Sequence, residues 1–557
     1  MLVAGVCLSA FLLASVLPSL HAKTYASPDE TVAAITAEQL TVHHQACIQE
    51  SLATSFSWLH PRSWVSQGDR MVPVIFLGWP WLLSGIERIF GAGILPWIGG
   101  WILLSSLIPL FFLLRRFGWG AAMLGVCMTL TVPWFLLYTN RGLFSNVPSL
   151  AFFLWSLWLF AYLSRDTSNP SVSSRGEWSM DFLHRWAGRF TFFQIQNRLF
   201  FSFLFGLILA CTIVVRPVEV LWMLPWFVLV GWKWRPTWKE LLLVLFGLAC
   251  ICVPVASLTA QTYGAWYRVG YLLHDNPLPV FVSGTNQLAV TQVQTVPPIA
   301  PTLFHWHLPF GFHLDSIALN LRQFALGLAL PWTMILLGAC VAFPFFIYVT
   351  TRHRGYMASA GLCAYWLAGV WTVGALLYVY GSGHYTDNIN PTALTIGNSF
   401  LRYLLPVAPL IGACVAWVYS LARTRERVAL IVVCILLSGF GVYRAYVADN
   451  EGIWTTRGEL AQYDLIRAGL QTQQPKPDVV LSERSDKIFF PETRVASPVP
   501  PLSEVVRLLR TTSLVVDFFS PALSQAARDH WRTSGLQLED VAVFRREHLF
   551  HVTLLPL

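Results

Sequence analysis

Two adjacent carboxylates, Asp29 and Glu30, follow Ser27-Pro28 a few residues after an apolar run near 2 to 21. Neighbouring carboxylates can divide labour, one taking a proton as general base while the other accepts a hydrogen bond or helps to hold a metal. A local reading competes: an acidic pair after proline also suits the first turn of a helix, here Thr31 to Leu40, where it complements the helix dipole. A second group of chemistry-bearing side chains lies between 259 and 323, with Tyr263, Trp266, Tyr267, Tyr271, His274 and Asp275, and further on His305, Trp306, His307 and His313. Aromatics stack on sugars and a His-x-His pair is of metal-binding type, but the same residues also form the belts that mark a membrane surface. Spacing supplies no third ligand beside His305 and His307, so no cofactor is spelled out and a divalent metal stays open. Of the cysteines, only Cys47 falls in a polar segment; the others lie in apolar runs, where they act as small hydrophobes, and no disulfide framework emerges.

What must position these groups follows from composition. Only 12% of the 557 residues are charged against 55% hydrophobic, whereas a soluble domain is typically about a quarter charged. So few charges cannot coat a soluble particle of this length. The formal charge of +8 comes in short Arg and Lys clusters between apolar runs rather than along one stripe, which suits topology determinants and excludes a nucleic-acid partner. Runs near 2 to 21, 96 to 114, 118 to 138, 146 to 164, 200 to 215, 218 to 232, 240 to 258, 324 to 349, 357 to 379, 399 to 421 and 428 to 446 predict about eleven spans. The runs on either side of Arg216-Pro217 are the shortest and could form one broken hairpin.

If the spans alternate, the clusters Arg115-Arg116, Arg165 to Arg198, Lys233 to Lys239, Arg352 to Arg354 and Arg423 to Arg427 share one side, which the positive-inside rule makes cytoplasmic. Segments 22 to 95, 259 to 323, 380 to 398 and 447 to 557 then face outward, and the polar chemistry gathers there. The first run is read as a retained helix rather than a cleaved signal, because it lacks a basic leader. Segment 72 to 91 is apolar, but Glu87-Arg88, Pro80 and its tryptophans predict a helix lying in the interface rather than a further span. The tail from 447 has interspersed charges, with strand-like runs at Asp478 to Leu481 and Ser513 to Phe519 and helical stretches at Leu502 to Leu509 and Ser524 to Ser534. It reads as a small extracytoplasmic α/β domain beside a membrane module over 1 to 446. The fold class is therefore mainly α, a polytopic helical bundle in the bilayer with interfacial helices. Outer segments without an N-x-Ser/Thr sequon favour a bacterial plasma membrane, with the site toward the periplasm or exterior.

In order, these features resemble the C-type glycosyltransferases, in particular the group of protein O-mannosyltransferases, lipid A aminoarabinose transferases and rhizobial core galacturonosyltransferases. An acidic dipeptide after the first span is followed by Gly68-Asp69-Arg70-Met71-Val72-Pro73, by Gly78-Trp79-Pro80 and by Ile89-Phe90-Gly91. Further on, Arg141 to Ser149 resembles the family's second outer loop, Arg216-Pro217 its Arg-Pro turn, and Asn398 to Pro406, with Arg402-Tyr403-Leu404-Leu405-Pro406, the start of a late span. Two features depart from the pattern: Asn146 stands where an acidic residue is often found, and about twenty extra residues, including His43-His44 and Cys47, separate the dipeptide from Gly68.

The resemblance implies transfer of a sugar from a polyprenyl-phosphate donor to an acceptor hydroxyl on the outer face, with inversion. It implies Asp29 as base with Glu30 in support, and Arg402, Arg268 and Arg216 as the cations for the donor phosphate. Asn146, Tyr403 and Asp69 would line the substrate cleft. The acceptor, whether glycan, lipid or protein, stays open. The alternatives are a transporter or flippase, against which stands the scarcity of charges inside the spans, and a non-catalytic membrane scaffold. An Asp29 open to a cleft separates enzyme from scaffold.

Overall fold

The computed structural model describes residues 24–164, 191–273, 310–447 and 452–556, apart from 233, 355, 384, 386–394 and 546. The run near 2 to 21, the basic stretch 165 to 190, and His274, Asp275, His305, Trp306 and His307 lie outside the described residues.

Helix α1 (Pro28–Val42) opens the outer segment. Its cap is Ser27, whose hydroxyl accepts a hydrogen bond from the Asp29 amide at 3.3 Å, and Pro28 fills the first turn, where a missing N–H costs nothing. Strands β1 (Ile48–Gln49), β2 (Trp64–Gln67) and β3 (Arg70–Pro73) form a small antiparallel sheet in the order β1-β3-β2. Helix α2 (Gly78–Phe90) has thirteen residues, too few to cross a bilayer. Its charges bond to α1: the buried Glu87 accepts from the Thr41 hydroxyl at 3.1 Å and the exposed Arg88 donates to the Leu40 carbonyl at 2.6 Å, while Ile89 and Phe90 stay exposed. A Glu-Arg pair in an apolar stretch is thus accounted for by a helix lying against α1 with its apolar end outward.

The bundle follows. Helices α3 (Leu95–Ser105) and α4 (Leu107–Leu114) run on from each other, and α5 (Trp119–Thr131) and α6 (Pro133–Thr139) meet at a bend of 70°. The bend has a local cause, since Pro133 lacks an N–H and forces Val132 into an extended conformation with ψ of 123°. Then come α7 (Asn146–Leu163), α8 (Thr191–Val215), α9 (Val220–Gly231), α10 (Trp238–Tyr263), α11 (Leu314–Asn320), α12 (Leu330–Arg354), α13 (Tyr356–Tyr380), the short α14 (Ser399–Tyr403), α15 (Val407–Leu421) and α16 (Thr424–Val447).

Among the described residues, seven helices are long and apolar enough to cross a membrane, and the bent pair α5–α6 brings the number to eight. The chain is an integral membrane protein. Eleven spans are not confirmed as a count: the runs expected at 218 to 232 and 399 to 421 appear as the shorter apolar helices Pro217–Gly231 and Val407–Leu421. Pro217 sets the start of the first, which runs on through Pro225, and the break at Leu404 to Pro406 detaches Arg402 from the second. Contact between the loop before α7 and helix α3 is close enough to demand glycine: a Cβ on Gly99 would lie 1.8 Å from the Gly142 carbonyl oxygen. That contact fixes the backbone carrying Arg141 and Leu143.

The tail folds as α17 (Ile453–Thr472), β4 (Val479–Ser482), α18 (Asp486–Phe489), β5 (Arg494–Ala496), α19 (Leu502–Thr511), β6 (Val516–Pro521), α20 (Gln525–Thr533), β7 (Leu536–Phe544) and β8 (Glu547–Leu554). The sheet order is β5-β4-β6-β8-β7, with β5 and β6 parallel to β4 and the β6-β8 and β8-β7 pairs antiparallel. Its core is shared with the N-terminal outer segment. Val32, Trp64 and Met71 pack with Val480, Phe489 and Phe519 on one face, and Phe56 and Leu59 pack with Val479, Val505 and Phe518 on the other. The α/β tail is thus built onto residues 24 to 77, so the lobe outside the bundle contains both ends of the described chain.

Candidate functional site

Asp29 sits in the second position of α1, and its carboxylate takes no part in capping, because the Ser27 hydroxyl already does so. Oδ1 accepts a hydrogen bond from the Ser63 hydroxyl at 3.2 Å, and Oδ2 accepts one from Nη1 of Arg402 at 3.1 Å. The side chain is 40% exposed, whereas its partner Arg402 is only 7% exposed. That exposure opens into a cleft of about 380 Å³ lined by Asp29, Arg402, Arg216, Asn146, Tyr403 and Tyr271 among others.

Arg402 reaches the cleft because α14 is set by its own cap. The Asn398 side chain accepts from the Phe400 amide at 2.9 Å, and the Tyr138 hydroxyl at the end of α6 donates to the Gly397 carbonyl at 2.9 Å. The guanidinium of Arg402 also donates to the Tyr403 hydroxyl at 3.3 Å and lies 4.1 Å from the Phe144 ring centroid. Arg216 ends α8. It pairs through Nε with Glu219 at 2.9 Å, three residues on, and donates to Ser145 and Asn146 at 3.1 Å each and to the Tyr380 hydroxyl at 2.8 Å. Tyr380 stacks on Tyr403 at 4.1 Å between ring centroids, and both guanidiniums lie within 5.4 Å of the Tyr403 ring. Two cations therefore share one aromatic wall opposite an exposed carboxylate, in a place suited to an anion with a hydroxyl-bearing group beside it.

Glu30 points elsewhere. It is buried, with Arg141 at 3.4 Å, and lines a second cavity of about 620 Å³ that reaches Arg457 on α17. Arg141 and Arg457 line the larger cavity, but its carboxyl, Glu30, is buried and paired with Arg141, so the smaller one, with the exposed Asp29, is the better candidate for chemistry. Burial pushes the Glu30 carboxyl above the usual carboxylate range, with Arg141 pulling the other way. A carboxyl raised on folding contributes stability that is present below its ordinary pKa of 4.5 and lost as pH rises through the folded value. Glu30→Gln is accordingly expected to raise the Tm at pH 7 and to match the unsubstituted protein near pH 4, with turnover falling less than for Asp29→Asn. Melting curves at the two pH values decide this; a difference that grows toward acid would contradict the burial account.

The structure brings together Asp29, Arg402, Arg216, Asn146 and Tyr403, and besides Glu30 it leaves out Asp69 and Arg268. Asp69 is exposed in the turn between β2 and β3, where Gly68 has φ +63°, and Arg268 is exposed with its guanidinium on the Tyr263 carbonyl at 3.4 Å. Neither lines the cleft. Sequence reasoning did not single out Ser63, Glu219 or Tyr380. Glu219 had a signal in the spacing Arg216-x-x-Glu219 between two apolar runs, which suits an ion pair one turn apart. Ser63 and Tyr380 had none. Among the described residues no group of three His, Cys, Asp or Glu side chains could hold a metal ion.

No protein-family model matches the chain, and neither does any curated protein. Solved structures do. The chain is similar to ArnT from Cupriavidus metallidurans solved bound to undecaprenyl phosphate, with a TM-score of 0.54, 13% identity, and 98% of this chain and 97% of that one covered. It is similar to the apo form of the same protein with a TM-score of 0.53 and 13% identity, over 99% and 98% of the two chains. The chain thus shares the fold of ArnT, and the likeness extends through the tail lobe as well as the bundle.

Proposed function

We propose that this protein is a membrane glycosyltransferase that moves a sugar from a polyprenyl-phosphate carrier to an acceptor hydroxyl. The observation that carries the reading is the pairing of an exposed Asp29 carboxylate with the Arg402 guanidinium in one cleft, beside Arg216 and Tyr403. Supporting it are a fold like that of ArnT, whose bound form holds undecaprenyl phosphate, and the ordered motifs of the same group in the sequence. Asp29 takes the proton of the acceptor hydroxyl as its oxygen forms the new bond to the anomeric carbon. The bond from that carbon to the phosphate oxygen breaks, and the electron pair leaves with the polyprenyl phosphate, so one displacement inverts the centre. The developing phosphate charge is met by Arg402, and Arg216 adds a second positive charge at the Tyr403 wall. Arg402 donates to Asp29; a donor phosphate that takes over its N–H groups releases the carboxylate to act as base.

An extracytoplasmic site is supported by alternation of the spans together with the positive-inside rule, given the basic clusters Arg115-Arg116 and Arg423 to Arg427. One experiment tests reaction and sidedness together: a panel of undecaprenyl-phosphate sugars is supplied to right-side-out and inverted membrane vesicles, and released undecaprenyl phosphate is measured. Release is expected with at least one sugar when the donor is in the outward leaflet of right-side-out vesicles. No release from any donor would remove the enzymatic reading, and release only in inverted vesicles would reverse the sidedness.

A further inference from the structure

Ser63 holds a backbone conformation that few residues other than glycine adopt, with φ +63°. It is pinned on both sides. Its carbonyl accepts from the Val74 amide at 2.8 Å, and the preceding residue, Arg62, is gripped by the tail lobe. Asp486, at the start of α18, is almost fully buried and accepts from the Arg62 amide at 2.9 Å, from its Nε at 2.8 Å and from its Nη2 at 2.7 Å. The Arg484 carbonyl accepts from the same Nη2. One residue further on, Lys487 donates to the Ala26 carbonyl at 2.5 Å, three positions before Asp29, and on α17 Asp464 accepts from the Thr24 hydroxyl at 3.0 Å. The lobe therefore holds the backbone on each side of Asp29: at Thr24 and Ala26 before it, and through Arg62 at Ser63, whose hydroxyl meets its carboxylate.

We infer that the tail lobe is part of the reaction apparatus, with Asp486, through Arg62, holding Ser63 in its left-handed conformation so that the Ser63 hydroxyl aims the Asp29 carboxylate. Ser63, Arg62 and Asp486 are positioning residues. A left-handed serine at this place is unfavourable by itself, and strain of this kind persists only where the surroundings over-determine it. Three hydrogen bonds from one residue to a buried carboxylate are such a constraint. The hydroxyl leaves Asp29 one fixed donor when a phosphate draws Arg402 away, so the carboxylate keeps its direction at the moment it is needed as base. This inference rests on the reading of Asp29 as base.

The test uses full-length protein, with kcat, donor KM and Tm measured for each variant. Ser63→Ala removes the hydroxyl and keeps the strain, whereas Ser63→Gly removes both. Both are expected to lower kcat by about ten- to a hundred-fold, the scale of a misaimed catalytic group, with donor KM unchanged, and Ser63→Gly is expected to be the more stable of the two. If Ser63 serves only the fold, activity follows Tm and Ser63→Gly turns over normally, which overturns the inference. Asp486→Asn should lower kcat like Ser63→Gly, and the double variant should lose little more, because both act through one contact. Losses that multiply would place Asp486 on a separate route and overturn the relay. Should Asp486→Asn fail to fold, the Ser63 pair decides alone. Asp29→Asn in the same assay keeps the two readings apart. Active Asp29→Asn removes the base and the relay together, while inactive Asp29→Asn beside normal Ser63→Gly removes the relay only.

Discussion

Asp29→Asn should reduce turnover by about a hundred- to ten-thousand-fold, the usual contribution of a positioned general base, while the protein folds and inserts normally. The substitution keeps size and leaves an oxygen that can accept from Ser63 or from Arg402, but it removes the ability to take a proton. Its effect on stability is expected to stay under about 1 kcal/mol, since the lost ion pair involves a well-exposed carboxylate and such pairs contribute little. The helix start does not depend on it either, because the cap of α1 is the Ser27 hydroxyl and the first turn is set by Pro28. This separation makes the variant decisive. A residue that served only the helix dipole would leave turnover near normal on conversion to Asn, whereas a base cannot be replaced by an amide. Normal turnover in a variant with unchanged Tm would end the assignment of Asp29 and, with it, the reading of the cleft.

What could be read from the sequence was what depends on order along the chain. Apolar runs and their basic flanks predict which segments share a side of the bilayer. Residues far apart along the chain, Asp29, Asn146, Arg216 and Arg402, do meet in one cleft. What could not be read depends on turns and on distant pairing. The Gly68-Asp69 motif of the resemblance predicts Asp69 in the cleft, yet a hairpin turn at Gly68 presents it to solvent. Arg268 follows the Gly264 cap that ends α10, and a local bond to Tyr263 holds it away from the site. The contact of Arg62 with Asp486 spans 424 positions and exists only because the lobe packs its strands against residues 24 to 77. Neither hydrophobic period nor local motif carries such information. The short helices after Arg216 and Arg402 have a visible cause in Pro217 and Pro406, but whether a proline ends a helix or merely kinks one is settled by packing.

Arg402 offers the second large effect, and it is best read on donor binding rather than on turnover, because the same guanidinium also holds Asp29. Arg402→Ala should weaken undecaprenyl phosphate binding by about ten- to a hundred-fold, in line with the loss of a hydrogen bond to a charged partner worth about 1.5–3 kcal/mol. Arg402→Lys keeps the charge but replaces a planar fork, which now reaches Asp29 and the Tyr403 hydroxyl together, with a single ammonium group; an intermediate affinity is expected. The control is Arg268→Ala, which removes an exposed guanidinium from outside the cleft and should leave binding unchanged. Arg216 is a poorer probe, because it is buried with its ion-pair partner Glu219, and truncating it strands that carboxylate in the interior at a cost to the fold. Solvent can take the place of Arg402 around the exposed Asp29 carboxylate, so Arg402→Ala is expected to fold and the measured change to report the phosphate contact. Equal affinities in the unsubstituted, Lys and Ala proteins would take Arg402 out of the donor site and leave it as the tether of Asp29.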